Sequence, residues 1–86
     1  MRIIYTTKFK REYKRLANNI KDTAEEKEKI FRVNPFDEKL DTHKLNGKLK
    51  DFWSFSINHN YRIIFEISKD KKEFFFHSIG NHSIYK

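Results

Sequence analysis

The 86-residue chain has 19 Lys and Arg against 12 Asp and Glu, and this net charge of +7 favours a polyanionic partner, of which nucleic acid is the commonest in a cytoplasm. Its length fits one domain over residues 1–86, and the lack of cysteine excludes disulfides, thiol nucleophiles and thiolate metal sites. No stretch approaches the roughly 18 apolar residues of a membrane span and the N-terminus lacks a signal-peptide run, so we expect a cytoplasmic protein with no membrane partner.

The N-terminal part of the chain predicts a strand followed by a helix. Residues 2–6, RIIYT, are short and β-branched, and they end at Thr6 and Thr7, either of which can cap a helix. Apolar residues then recur at helical spacing through residues 8–20, which leaves lysines and arginines for the other faces. The asparagine pair at 18–19 marks the predicted end of this helix.

A second helix and a long connection are predicted next. Asp22 or Thr23 can cap a helix through residues 24–33, whose first turn carries the acidic residues that the helix dipole prefers. This helix ends before Pro35, because the residue that precedes a proline disfavours helical backbone. Residues 34–50 then form a charged connection with scattered apolar residues.

The second half of the chain has the period of two that is typical of strands. Alternating residues predict antiparallel strands over 53–57 and 61–67, and a third strand follows over 73–79. Three consecutive phenylalanines in the third strand indicate burial on both faces and therefore a central position. The order β-α-α-β-β-β predicts an α+β domain in which two N-terminal helices pack on one face of a mainly antiparallel four-stranded sheet.

Arg62 is the first candidate functional residue. The alternation of residues 61–67 places Arg62, Ile64 and Glu66 on the face away from the helices. A mid-strand arginine there is either a solvated side chain, paired for example with Glu66, or a guanidinium held on a rigid strand to bind a phosphate with two hydrogen bonds. The second interpretation requires other side chains to converge on Arg62.

Two segments can supply partners for Arg62. Lysines follow the loop histidine His43, and the C-terminal tail after Gly80 contains a second histidine and a tyrosine. Most loop histidines are only solvated or hydrogen-bonded, and we interpret His59 and His77 in that way. The candidate partners are His43, Lys44, Lys48, Lys50, His82 and Tyr85.

These residue types suit metal-free RNA cleavage, for which we expect no cofactor. The chain has no zinc-ligand spacing, no Gly-rich phosphate loop and no nucleophile elbow. A neutral imidazole can take the proton of a ribose 2′-OH, a cation can stabilise the charge on the adjacent phosphate, and a second group can protonate the departing 5′ oxygen. A tyrosine such as Tyr85 can stack on a base or position the phosphate.

The stretch HKLNGKLKDFWSFSINHNYRIIFEI at residues 43–67 and the tail IGNHSIY at residues 79–85, together with the element order, resemble the RelE/ParE superfamily. These proteins are the toxins of bacterial type II toxin–antitoxin pairs, and the chain is most similar to the RelE, YoeB and YafQ branch. The resemblance implies a RelE-like fold and an mRNA endonuclease that usually acts on the ribosome. It also implies a cognate antitoxin that holds the toxin inactive.

The resemblance also assigns roles to individual residues. Arg62 matches the arginine that contacts the scissile phosphate in YoeB-like members, and His82 matches their C-terminal histidine, a general acid. Tyr85 matches their terminal tyrosine, although two residues separate the pair here where YoeB-like tails have them adjacent. His43 falls at the general-base position, which is a glutamate in YoeB-like members and a histidine in YafQ-like ones. The phosphate-binding surface would comprise Lys44, Lys48 and Lys50.

Two other functions remain open at the level of sequence. The superfamily also contains ParE-type members, which inhibit DNA gyrase by binding it and carry no nuclease site. An inert nucleic-acid-binding relative would keep the basic surface and lose turnover. The four residues His43, Arg62, His82 and Tyr85 are those that the nuclease branch needs, and they favour the endoribonuclease.

Overall fold

The computed structural model describes residues 1–81 and 84, in which two helices lie on one face of a five-stranded sheet. Two short 3-10 turns, Glu38–Leu40 and Gly47–Leu49, stand on either side of the second strand. Within these residues no helix is long and apolar enough to cross a membrane. The elements are β1 (Arg2–Tyr5), α1 (Thr7–Lys14), α2 (Asn18–Val33), β2 (His43–Lys44), β3 (Trp53–Ser56), β4 (Arg62–Ile67) and β5 (Glu73–Gly80).

The predicted α+β architecture is confirmed, but the described part of the sheet has five strands instead of four and is mixed. The strand order is β1-β5-β4-β3-β2, with β1 parallel to β5 and the other neighbours antiparallel. The additional strand β2 lies in the charged connection over residues 34–50. No strand was predicted there, because two residues are too few to show an alternation. Strand β5 is internal as predicted, although β4 occupies the middle of the sheet.

Helix α1 begins at a predicted cap and ends earlier than predicted. The side-chain oxygen of Thr6 accepts a hydrogen bond from the backbone N–H of Phe9 at 3.1 Å, so Thr6 is the N-cap. The helix ends at Lys14, and the asparagine pair at 18–19 starts α2 instead of ending α1. Asparagine favours both the start and the end of a helix. The asparagine pair therefore indicated a break between helices to within a few residues, but the pair was assigned to the end of α1 when it begins α2.

The predicted caps of α2 were wrong. Its N-cap is Ala17, whose extended backbone breaks the chain between the helices and whose side chain makes no capping bond. Asp22 and Thr23 lie inside the helix, and the hydroxyl of Thr23 donates to the backbone oxygen of Asn19 at 3.0 Å. This bond back to the preceding turn is the alternative that a threonine hydroxyl has to capping.

The core between helices and sheet is built around the fully buried ring of Phe31 in α2. Its centroid lies 4.8 Å from that of Phe55, 5.0 Å from Phe65 and 5.1 Å from Phe76. Two of these contacts are edge-to-face, the arrangement that the quadrupoles of aromatic rings favour. Large rings let a chain of 86 residues bury enough apolar area to offset its conformational entropy.

Strand β5 contains a register shift opposite the middle of β4. Phe74, Phe76 and Ile79 all belong to the helix-side core. The spacing between successive core-facing residues of β5 therefore changes from two residues to three. The consecutive residues His77 and Ser78 both line a groove on the other face of the sheet. An extra residue of this kind is a β-bulge, and it lets the end of β5 present two side chains in succession to that face.

On the helix side, a polar cluster joins β1 to α2. The Tyr5 hydroxyl donates to the carboxylate of Glu28, and an Arg32 Nη2 nitrogen lies 3.3 Å from both groups. Burial, with the neighbouring carboxylate, raises the pKa of Tyr5, so its hydroxyl keeps its proton. These side chains satisfy one another within the fold.

The end of β5 is held by α1. A Glu12 Oε1 oxygen accepts hydrogen bonds from the hydroxyl of Ser78 at 2.7 Å and from the backbone N–H of Ile79 at 3.2 Å. Strand β1 ends at Tyr5, opposite Phe76, and does not extend far enough to pair with Ile79. The Glu12 carboxylate therefore accepts the hydrogen bond that a longer β1 would have accepted from this part of β5. Helix α1 thereby fixes the part of β5 from which the C-terminal tail departs.

Replacing Glu12 with alanine should cost stability. The change removes an acceptor from the buried hydroxyl of Ser78 and from the Ile79 amide, and each lost partner of this kind costs about 1 to 3 kcal/mol. Glu12→Gln keeps an oxygen at the same position and should lose clearly less. Urea unfolding of the two variants measures the difference, and equal losses would contradict the proposed contact.

Candidate functional site

The face of the sheet away from the helices, called the open face below, carries the candidate site. The helix-side core takes Ile63 and Phe65 from β4 and contains none of Arg62, Ile64 and Glu66. The alternation predicted for this strand is therefore confirmed. Arg62 lies near the start of the middle strand, where neighbours on both sides hold its backbone.

Arg62 is fixed by contacts with two residues of neighbouring segments. Its Nε donates to the hydroxyl of Ser54 at 3.0 Å, and its Nη2 donates to the backbone oxygen of Asp41 at 2.9 Å. Its Nη1 lies 3.6 Å from the Asp41 carboxylate, and only 16% of the arginine side chain is exposed. The suggested pairing with Glu66 was wrong, because Glu66 instead contacts His77 at 3.0 Å.

Asp41 directs its loop toward the guanidinium. Its φ of 49° lies in the left-handed region, which aspartate adopts more readily than most residues. Its N–H bonds the oxygen of Glu38 at 3.2 Å and closes the 3-10 turn, while its own carbonyl accepts from Arg62. The backbone conformation of Asp41 therefore places its carbonyl oxygen against Arg62 and leads the chain to His43.

His43 lies beside Arg62, so one of the candidate partners does converge on the arginine. It stands in β2 opposite Ser54, and its Nδ1 is 3.2 Å from the Asp41 oxygen and 3.3 Å from Arg62 Nη2. The Asp41 contact is a hydrogen bond when Nδ1 carries a proton, and the Arg62 contact is one when it does not. In the first tautomer Nε2 keeps its lone pair, which is the form that a general base needs.

Three of the remaining candidates are lysines of the segment that contains His43. Lys44 extends over the ring of Trp53, with its Nζ 5.9 Å from the ring centroid. Lys48 lies in the 3-10 turn Gly47–Leu49, Lys50 follows that turn, and all three lysines are exposed on the segment that contains His43. His82 and Tyr85 lie outside the described residues, so their roles stay predictions.

Gly80 lies opposite Arg62 in the register of β4 and β5. A side chain at Gly80 would collide with the side chain of Ile84, so the glycine permits Ile84 to pack closely against the end of the strand. The backbone of Gly80 does not itself require a glycine, because positive φ among the described glycines occurs only at Gly47. Close approach is therefore the reason for a glycine here.

Two residues of the site were not identified from the sequence. Ser54 is fully buried and holds Arg62, and the pattern of residues 53–57 marked it only as the outward member of an alternation. The structural role of Asp41 depends on a backbone conformation that no short pattern predicts. Among residues 1–81 and 84, no three His, Asp or Glu side chains are grouped so that they could hold a metal ion.

The family of the chain follows from its sequence over almost the whole length. The family model for the bacterial toxin YafQ of type II toxin–antitoxin systems matches residues 1–85. The chain belongs to the YafQ toxin family. The resemblance to the RelE/ParE superfamily, and to its RelE, YoeB and YafQ branch, is thereby confirmed for this YafQ-family chain.

Solved structures of bacterial toxins share the fold of this YafQ-family chain. A YoeB/ParE toxin from Agrobacterium tumefaciens has a TM-score of 0.80 at 16% identity, covering 95% of this chain and 99% of that one. YafQ from E. coli strain BL21(DE3) has a TM-score of 0.79 at 17% identity, covering 99% and 98%. The E. coli DinJ-YafQ toxin-antitoxin complex matches with a TM-score of 0.75 at 16% identity, covering 95% and 92%. No curated protein matches significantly by sequence.

Proposed function

We propose that this YafQ-family toxin is a metal-independent endoribonuclease that cleaves mRNA on translating ribosomes and so inhibits translation in the cytoplasm. The observation that carries the proposal is the pair of Arg62, fixed on the middle strand, and His43, whose Nδ1 lies 3.3 Å from it. An imidazole can act as general base toward the 2′-OH, and a rigid cation beside it can stabilise the charge that develops on the phosphate.

In the proposed reaction, Nε2 of His43 removes the proton from the ribose 2′-OH. The resulting oxygen attacks the adjacent phosphorus, and the guanidinium of Arg62 stabilises the charge that develops on the phosphate oxygens. The bond to the 5′ oxygen then breaks, and the leaving oxygen takes a proton. The products are a 2′,3′-cyclic phosphate and a 5′-OH end, so the atoms balance without water or a cofactor.

The other sequence-predicted residues complete this proposal. His82 is the proposed general acid for the leaving oxygen, and Tyr85 is the proposed group that stacks on a base or positions the phosphate. The exposed lysines of the loop, Lys44, Lys48 and Lys50, bind flanking phosphates by counterion release. The Asp41 carboxylate already lies 3.6 Å from Nη1 of Arg62, so an incoming phosphate replaces an anion that the protein itself provides.

The test is to map RNA ends after treatment with the purified toxin, with and without ribosomes, using toxin dialysed against EDTA beforehand and ribosomes kept in Mg²⁺. We expect cuts within translated messages that carry 5′-OH and cyclic-phosphate ends, and we expect the dialysed toxin to cut at the same rate as untreated toxin. Intact messages on translating ribosomes, or cut ends that carry a 5′-phosphate and a 3′-OH, would contradict the proposal.

A gyrase inhibitor is the second candidate, because the Agrobacterium relative is named as a YoeB/ParE toxin. That branch needs no convergent arginine and histidine, so the contacts of Arg62 and His43 favour the nuclease. Gyrase-linked DNA breaks in expressing cells, with messages intact, would support the ParE-like function instead.

A cognate antitoxin is the proposed protein partner. The E. coli relative was solved as the DinJ-YafQ toxin-antitoxin complex, and it covers 95% of this chain. We expect the neighbouring reading frame to encode a short protein with a DNA-binding N-terminus and an amphipathic tail. Co-purification of that protein with the toxin, and loss of RNA cleavage in the complex, would be the expected result.

A further inference from the structure

A groove of about 310 Å³ lies on the open face, next to Arg62 along β4. Ile64 lines the groove and is buried, although it is not part of the helix-side core. It is two residues beyond Arg62 on the same face, about 6.6 Å further along the strand. The groove therefore begins one open-face position along β4 from Arg62.

Among the described residues that line this groove, four are apolar and four are polar. Leu49, Phe52 and Ile84 join Ile64 as the apolar side chains. Lys8 contributes a cation, His77 an imidazole, and Thr6 and Ser78 contribute hydroxyl groups. A planar, weakly polar ligand of modest size fits such a lining better than a phosphate does, because a phosphate would lose hydration without gaining enough charged donors. A nucleobase has both the flat faces and the polar edge that this lining can contact.

Internal contacts hold the aromatic groups of the groove in place. The ring of Phe52 meets the imidazole of His77 edge-to-face, with centroids 5.1 Å apart and planes at 89°. Nε2 of that imidazole contacts the Glu66 carboxylate at 3.0 Å, and the backbone oxygen of His77 accepts from the Thr6 hydroxyl at 3.2 Å. Groups that are already ordered lose little entropy when a ligand binds.

We propose that this groove is a nucleobase subsite, in which the base adjoining the phosphate bound by Arg62 packs against Phe52 and over Ile64. This inference rests on the proposed function insofar as Arg62 holds a phosphate of RNA. Exposed Lys8 at the rim of the groove contacts the next phosphate, which fixes the direction of the strand across the sheet. Phe52 and His77 then contribute to which sequences are cut.

The test combines a protein variant with a substrate variant. Phe52→Leu removes the aromatic ring and keeps an apolar side chain, and Phe36→Leu is the matched control at an exposed aromatic that packs on Trp53. The RNAs are short messages with one mapped cut, either unmodified or with a single abasic ribonucleotide on the 5′ or the 3′ side of the cut. Single-turnover cleavage on programmed ribosomes is measured, together with binding of the same messages carrying a 2′-deoxy nucleotide that prevents cleavage.

We expect Phe52→Leu to weaken cleavage and binding of the unmodified message about 5- to 100-fold, which is the range that one base–aromatic stack contributes. One of the two abasic messages should show a similar loss with the parent protein and no further loss with Phe52→Leu. Phe36→Leu should behave as the parent. Thermal melting of each variant checks that the fold is retained.

Equal losses for Phe52→Leu on unmodified and abasic messages would overturn the subsite while leaving RNA cleavage intact. A parent protein that binds the 2′-deoxy message with the expected dependence on Phe52 but never cuts RNA would overturn the proposed function and support the subsite. A loss of antitoxin binding in Phe52→Leu without any change toward RNA would overturn the subsite in favour of a protein pocket.

Discussion

Replacing Arg62 with alanine should reduce RNA cleavage by about 10² to 10³-fold, as the loss of one preorganised donor to a developing anion does. The guanidinium is held by Ser54 and Asp41 before substrate binds, so no reorganisation is needed in the transition state. Arg62→Lys keeps the charge and loses the planar pair of donors, and it should recover only a small part of the rate. Single-turnover cleavage of a mapped message measures both.

Arg15→Ala is the matched control, because it removes the same charge from the exposed end of α1. It should change the rate by no more than the modest, salt-dependent amount that general attraction to RNA accounts for. An equal loss in Arg15→Ala and Arg62→Ala would mean that only net charge matters. Urea unfolding of Arg62→Ala separates lost chemistry from lost stability.

Replacing Phe31 with alanine should lower the free energy of unfolding by about 3 to 5 kcal/mol, since it opens a cavity where a fully buried ring contacts four other rings. A small domain has about 5 to 15 kcal/mol in total, so the variant should be partly unfolded at physiological temperature. Phe31→Leu keeps most of the volume and should remain folded with a smaller loss. The measurement is the midpoint of urea unfolding.

Phe36→Ala is the contrasting variant for this prediction. Phe36 is 50% exposed and contacts the Trp53 ring edge-to-face, so its loss should cost about 1 kcal/mol or less. Similar losses for Phe31→Ala and Phe36→Ala would contradict the position of Phe31 at the centre of the core.

The sequence was sufficient to predict the existence and type of the elements with long periodic patterns, although not the ends of the helices, and it was insufficient for the short elements. Strand β4 has an alternation over six residues, and its two faces were predicted correctly. Strand β2 has two residues and is held in the sheet by its pairing with β3, a long-range contact that leaves no local pattern. The bulge at His77 and Ser78 was missed for the same reason, because three consecutive phenylalanines hide the change of period that follows them.

For the candidate site, residue types were easier to predict than contacts. Arg62 and His43 stood out as a charge inside an apolar strand and a histidine in a basic loop, and the structure places them together. Asp41 did not stand out, because its contribution is a backbone carbonyl presented by a left-handed residue. The choice of partner for Arg62 likewise depends on which strand lies next to β4, a property of the whole sheet and not of the strand.

Arg62 and His43 lie on strands that differ in how easily they open locally. Arg62 is anchored in the middle strand, while His43 lies in a two-residue strand at the edge of the sheet. Local opening at a short edge costs much less free energy than opening at a central strand. The proton-accepting half of the proposed reaction can therefore be disengaged by a small local fluctuation, while the anion-binding half stays in place.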